Sequence, residues 1–252
     1  MAADNVLKAI GLTRDFRGFR AVDSVNLEIA RGSIHALIGP NGAGKSTCFN
    51  LLTKVLQPSA GTILYDGRDI TRTSPANVAR MGVVRSFQIS AVFGSMTAIE
   101  NVRMGLQRRR HGDSWDFWRS EKVLAGLHEE AMELIVAVGL QDHAHHVADD
   151  LSYGRKRALE IATTLALDPK VLLLDEPMAG MTQDDVHRIT ELIRKVAAGR
   201  TVLIVEHNLS VVASLCDRIT VLARGKVLAE GEYKDVSQDP RVIEAYIGVP
   251  HA

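Results

Sequence analysis

Gly39-Pro40-Asn41-Gly42-Ala43-Gly44-Lys45-Ser46-Thr47 is the stretch on which the fold turns. It has the spacing GxxxxGK(S/T), with a strand-like run, Ser33–Ile38, before it and a helical segment, Ser46–Leu56, after it. Gly42 and Gly44 let the backbone curl so that successive N–H groups point inward at phosphate oxygens. Lys45 supplies a point charge to the β- and γ-phosphates, and Ser46 offers a hydroxyl to Mg²⁺. The start of the following helix adds its positive dipole end. A glycine-rich turn with an incidental lysine is the plainer reading, and the full motif between both flanks counts against it. All nine residues are candidates for nucleotide binding.

Working outward, Leu172-Leu173-Leu174-Asp175 is an apolar strand ending in a carboxylate, which a sheet delivers to its rim beside Mg²⁺. Glu176 comes next, across the pleat, placed to accept a proton from an attacking water. His207 follows the apolar run Val202–Val205 and Glu206. Adjacent parallel strands bring it to the same edge, where it contacts the γ-phosphate or orients the water. Two acids opening a loop, or a structural histidine, are the blander readings of each residue alone. The phosphate loop and the shared edge favour chemistry.

The rest of the chain alternates short β-branched runs with helical segments, which indicates an α/β fold. Gly61–Tyr65, Lys170–Leu174 and Thr201–Val205 read as strands, and Ile219–Ala223 with Lys226–Ala229 as a hairpin turning at Arg224-Gly225. Ser74-Pro75 starts a short helix through Arg80. Thr97 and Glu100 form a capping-box pair, and Thr182 caps a helix over Gln183–Ala198. Apolar residues from Trp115 to Val138 recur at helical spacing, with Gly139 as the stop, and a last helix spans Pro240–Ile247. Strand signals are almost absent between Phe87 and Pro169, so a mostly helical subdomain is inserted there.

The chain has 252 residues, 30 basic and 30 acidic, which argues against a dedicated nucleic-acid binder. The two cysteines, Cys48 and Cys216, have no CxxC spacing, so neither a disulfide scaffold nor a zinc site is expected. No apolar run is long enough to span a bilayer, and no signal peptide is visible. A soluble intracellular chain that reaches a membrane through partners is the expectation.

In order along the chain, the phosphate loop, Arg85-Ser86-Phe87-Gln88, Leu151-Ser152-Tyr153-Gly154, the acid strand with Asp175 and Glu176, the turn Met178–Thr182 and His207 form a series. That series resembles the nucleotide-binding (ATPase) subunit of ATP-binding cassette (ABC) transporters. The resemblance implies a P-loop NTPase (RecA-like) core with an antiparallel β subdomain and an inserted helical signature subdomain. It implies one cassette over residues 1–252, with the core at about 1–88 and 158–252 and the helical part at about 89–157. It also implies ATP and Mg²⁺, with two subunits binding two ATP molecules head to tail. Ser152 and Gly154 would then contact the γ-phosphate held by the partner's Lys45. Gln88 would touch Mg²⁺ or the attacking water. The implied catalytic set is Lys45, Gln88, Glu176 and His207, and the implied metal set is Ser46, Gln88 and Asp175. Phe16 lies 29 residues before Lys45, where the family places an aromatic on adenine, with Phe19 as its rival.

Arg155 departs from the family's glutamine and begins a basic cluster, Arg155-Lys156-Arg157, able to attract the partner's ATP. Tyr153 replaces a glycine, and Thr182 an aspartate. Phe93–Thr97, Glu100-Asn101-Val102 and Asp239–Gly248 resemble the larger ATPase subunit of branched-chain and hydrophobic amino acid importers, whose relatives also import amides. The partners implied are membrane permease subunits, a second ATPase subunit and, indirectly, a solute-binding protein. The location implied is the cytoplasmic face of the membrane. An exporter ATPase of the lipopolysaccharide type and a soluble non-transport ABC ATPase are the alternatives. Arg108–His111 reads as a solvated loop, Trp115–Trp118 as either a contact or packing within the insertion, and Asp142–His146 as an exposed linker rather than a metal site.

Overall fold

The structure, a computed structural model, describes residues 4–86, 92–110 and 121–247. Along the chain run β1 (Asn5–Phe16), β2 (Phe19–Ala30), β3 (Ile34–Ile38), α1 (Lys45–Leu52), β4 (Ala60–Tyr65), β5 (Arg68–Asp69), α2 (Pro75–Arg80) and β6 (Val83–Arg85). Next come α3 (Ala98–Arg110), α4 (Glu121–Ala137), α5 (Tyr153–Leu165), β7 (Val171–Asp175), α6 (Gln183–Ala197) and β8 (Thr201–Val205). The last elements are α7 (Leu209–Leu215), β9 (Arg218–Ala223), β10 (Lys226–Gly231), α8 (Tyr233–Val236) and α9 (Pro240–Ile247).

The larger sheet has the order β10-β9-β3-β8-β7-β6, and a smaller antiparallel sheet has the order β2-β1-β4-β5. Strands β3, β7 and β8 pair in parallel, and every residue in them is buried. Continuous Val, Ile and Leu runs suit such strands because both faces are covered. On one face, Ala36, Ile38, Leu172, Leu174, Val202 and Ile204 pack with α3 to α7. On the other, Leu37, Leu173 and Leu203 pack with Phe49 of α1 and the small sheet.

The caps form as the sequence predicts. Thr97 and Glu100 exchange bonds, Thr97 N to Glu100 Oε2 at 2.8 Å and Glu100 N to Thr97 Oγ1 at 3.4 Å. Ser74 accepts from Asn77 N, and Thr182 from Asp185 N. Arg224 (φ 50°) and Gly225 (φ 77°) turn the β9–β10 hairpin in the left-handed region.

Several expectations shift. The helix after the phosphate loop ends at Leu52, not Leu56, because Lys54 turns to φ 62° and buries its ammonium against Thr71 O. Arg108–Arg110 close α3 instead of forming a loop, and Arg109 Nη2 donates to Glu130 Oε1 of α4 at 2.5 Å. Helix α5 is continuous across 157/158, where the core was expected to resume, and it packs on α3 and α4. Trp115–Trp118 lie outside the described residues.

Candidate functional site

Strand β3 sits between β8 and β9 and delivers the chain into the phosphate loop. Gly39 is buried with φ 149°, and a Cβ there would stand 2.1 Å from Leu222 O of β9. Gly44 caps α1 at φ 99°, and its Cβ would meet Ala21 O of β2 at 2.5 Å. Ala43 N donates to Pro40 O at 3.1 Å, and Gly225 N to Ala43 O at 3.0 Å. The loop is therefore clamped from behind by β2 and the β9–β10 hairpin, while Asn41, Gly42 and Ser46 are exposed and Thr47 is half-buried.

Lys45 Nζ donates to Gly39 O at 2.7 Å and Pro40 O at 3.1 Å. Burial lowers its pKa, and the charges of Glu176 and Asp175 oppose that shift. The fold thus brings Lys45 into electrostatic reach of both acids the sequence singled out. Asp175 ends β7, buried, with its carboxylate 2.7 Å from Arg85 Nη2. Burial raises its pKa, and Arg85 works in the other direction. The same guanidinium donates to Asn50 Oδ1 at 2.5 Å and lies over the Phe49 ring at 4.9 Å, so α1, β6 and β7 meet at one side chain.

Glu176 is half-buried in the left-handed region, φ 44°, and its N–H donates to Val205 O at 2.9 Å. Parallel pairing aligns Asp175 with Val205, which sets Glu176 and His207 at one sheet edge, as the sequence suggests. His207 is exposed. Between them lies the fully buried Glu206, whose Oε1 accepts from Met178 N at 3.1 Å and whose Oε2 accepts from His207 N at 3.0 Å and Asn208 N at 3.3 Å. One carboxylate thus joins the turn after the acids to the histidine.

Ser152 is exposed at the N-cap of α5, extended, with no side-chain capping bond. Gly154 is buried, and a Cβ there would stand 2.7 Å from Asp185 Oδ1 of α6. The basic cluster does not face outward as a whole: Arg155 is exposed, but Arg157 is buried, with Nη1 bound to Glu160 Oε2 at 2.5 Å. Paired within the fold, Arg157 is not a charge offered to a second ATP. Phe16 and Phe19 face each other across the β1–β2 turn, both exposed, with Arg14 over Phe16 at 4.6 Å. That hairpin leads into Ala21 at the phosphate loop. Gln88 lies outside the described residues. Among the described residues no group of three metal-ligating side chains is found, the Asp142–His146 segment included.

Arg85 and Glu206 are site residues whose part sequence reading missed, and Arg157 is one it placed on the outer face instead of in the interior. A charged residue beside an apolar strand or within the signature helix was their only signal.

The ABC transporter family model matches residues 22–179, and the model for branched-chain amino acid ATP-binding cassette transporters matches residues 226–252. The high-affinity branched-chain amino acid transport ATP-binding protein BraF of Pseudomonas aeruginosa is 38% identical over 252 residues, covering 96% of this chain and 98% of BraF. The ADP conformation of an ATP-binding cassette of an ABC transporter superposes with a TM-score of 0.85 at 32% identity, covering 97% of this chain and 99% of that one. A dimeric ATP-binding cassette in a post-hydrolysis state, bound to ADP and Pi, gives 0.76 at 25% identity, covering 90% and 98%. With the phosphate loop, acid strand and histidine assembled at one sheet edge, the chain belongs to the ABC transporter family.

Proposed function

We propose that this chain is the ATP-hydrolysing subunit of an ABC importer for branched-chain amino acids or related small solutes. The observation that carries the reading is the placement of Asp175, Glu176 and His207 at the sheet edge where β3 runs into the phosphate loop, together with the match of the C-terminal segment. Among the described residues no helix is long and apolar enough to cross a membrane. Solute passage then belongs to membrane permease subunits, on whose cytoplasmic side this chain docks.

The site suits a magnesium nucleotide. The positive φ of Gly42 and Gly44 turns backbone N–H groups toward a phosphate, and Ser46 and Asp175 are oxygen donors of the kind Mg²⁺ takes. Bound there, Mg²⁺ would neutralise charge developing on the phosphates. Lys45 exchanges its bonds to Gly39 O and Pro40 O for phosphate oxygens. Glu176 accepts a proton from water, and His207 orients that water or the γ-phosphate. Phe16 stacks on adenine at the tip of the β1–β2 hairpin. Gln88 reports the nucleotide to the permease. In a head-to-tail dimer, Ser152 and the Gly154 N–H close over the partner's ATP.

Glu176→Gln tests this directly. The variant binds ATP and accumulates as an ATP-bound dimer without turnover; hydrolysis at the wild-type rate would remove Glu176 from the role of base. Joint substitution of Ser152 and Gly154 abolishes hydrolysis and spares ATP binding by the monomer. Cooperative hydrolysis surviving that change rules out the head-to-tail arrangement.

A further inference from the structure

Arg157 lies one turn beyond Ser152 on α5, yet its side chain points into the molecule and is 6% exposed. Nη2 donates to Asp175 O at 2.9 Å, and Nε donates to Pro177 O at 3.3 Å. Those two carbonyls stand on either side of Glu176. Glu176 itself is held at φ 44°, a conformation that a residue with a side chain adopts only when its surroundings enforce it. Its N–H is bound to Val205 O, and its carbonyl accepts from Ala179 N at 3.1 Å. The kink is therefore fixed on the core side by β8 and its own turn, and on the other side by one side chain of the signature helix. Glu160, buried on the next turn of α5, balances the guanidinium charge through the 2.5 Å ion pair.

We infer that Arg157 is a positioning residue for Glu176, transmitting the position of the signature helix to the backbone of the general base. It touches no substrate. The inference rests on the reading of Glu176 as base. Its two carbonyl bonds hold only while α5 stays in register with the end of β7. A shift of the helix by about an ångström releases them, and a misplaced reacting group of that order costs about 10²-fold in rate. Ser152 caps the helix that carries Arg157, so the helix that closes over one nucleotide also sets the base beside the other. In a head-to-tail dimer this links the two ATP sites without a contact between their phosphates.

The test compares the full chain carrying E160Q with the chain carrying R157M and E160Q together, since R157M alone would leave Glu160 buried without its counter-charge. The E160Q chain keeps both carbonyl bonds and stays within about 3-fold of wild-type kcat. The double variant loses about 30- to 100-fold in kcat, with the Kd for a non-hydrolysable ATP analogue unchanged. R157K with E160Q recovers part of the loss, because an ammonium can serve one carbonyl. Adding E176Q to the double variant lowers kcat no further than E176Q alone. Amide exchange at 176–179 rises in the double variant and not in E160Q. Hydrolysis at the E160Q rate, a loss expressed in Kd alone, or unchanged exchange at 176–179 overturns the inference. Wild-type turnover by E176Q overturns the base assignment instead, and the exchange result still judges the role of Arg157.

Discussion

Arg85 reaches from β6 to Asp175 on the neighbouring β7 and closes a 2.7 Å ion pair in which the side chains are 15% and 6% exposed. Removing one partner of such a pair strands a buried charge, which costs about 3–5 kcal/mol. Arg85→Met is expected to lose stability in that range by urea unfolding. Adding Asp175→Asn to it restores part of the loss, because the uncompensated carboxylate is gone. Strict additivity of the two changes would show that the pair is not coupled.

Gly39 and Gly42 make a paired comparison. Gly39→Ala sets a methyl 2.1 Å from Leu222 O, a backbone atom that cannot swing away, so the loop must leave its place against β9. Loss of ATP binding and a lowered Tm are expected. Gly42→Ala meets nothing within 4 Å and carries only the strain of φ 76°, about 1 kcal/mol. Calorimetry on both variants checks the order, and equal effects would contradict it.

Glu206 supplies acceptors to three backbone N–H groups, of Met178 in the turn after Glu176 and of His207 and Asn208. Glu206→Gln replaces one acceptor oxygen with an NH₂ that faces a donor. The expected cost is about 2 kcal/mol of stability, with a fall of about 10-fold or more in kcat as Met178 and His207 lose their common anchor. The ATP Kd should stay constant. A wild-type kcat would show that the histidine is positioned without this carboxylate.

His35 is fully buried in β3, with Nε2 2.8 Å from Thr220 Oγ1 and, among the described residues, no partner for Nδ1. Burial, reinforced by the positive charge of Arg218, lowers its pKa to about 3 from 6.5. Below pH 6.5 the unfolded chain binds a proton that the folded chain refuses until about pH 3. Stability therefore falls as pH drops through that window, by up to ~1.4 kcal/mol per pH unit from this group. His35→Gln, which cannot titrate, should flatten the acid limb of a stability–pH curve. An unchanged slope would remove His35 as its source.

The elements with local signatures were legible in the sequence: the phosphate loop, the apolar β7 and β8, and the helices that open on Ser74, Thr97 and Thr182. Long β1 and β2 were not. Register shifts around Leu12, with Gly11 at φ 58° and Ser24 at φ 52°, interrupt the two-residue alternation that marks a strand. The end of α1 was missed because Lys54 finds its partner, Thr71 O, beyond the local sequence. Arg85 and Glu206 could be seen as charges, but their roles depend on which strands become neighbours, and no spacing rule states that.

Strand β3 lies in the first fifth of the chain, yet both strands that flank it, β8 and β9, begin at Thr201 or later. Leu222 and Gly225, which back the phosphate loop, come later still. During synthesis on the ribosome, the loop emerges early and waits for some 180 residues without the β9–β10 half of its backing. The cradle is completed only when its last hairpin arrives. A translation product that stops before residue 201 carries the full phosphate motif and is expected to bind no ATP.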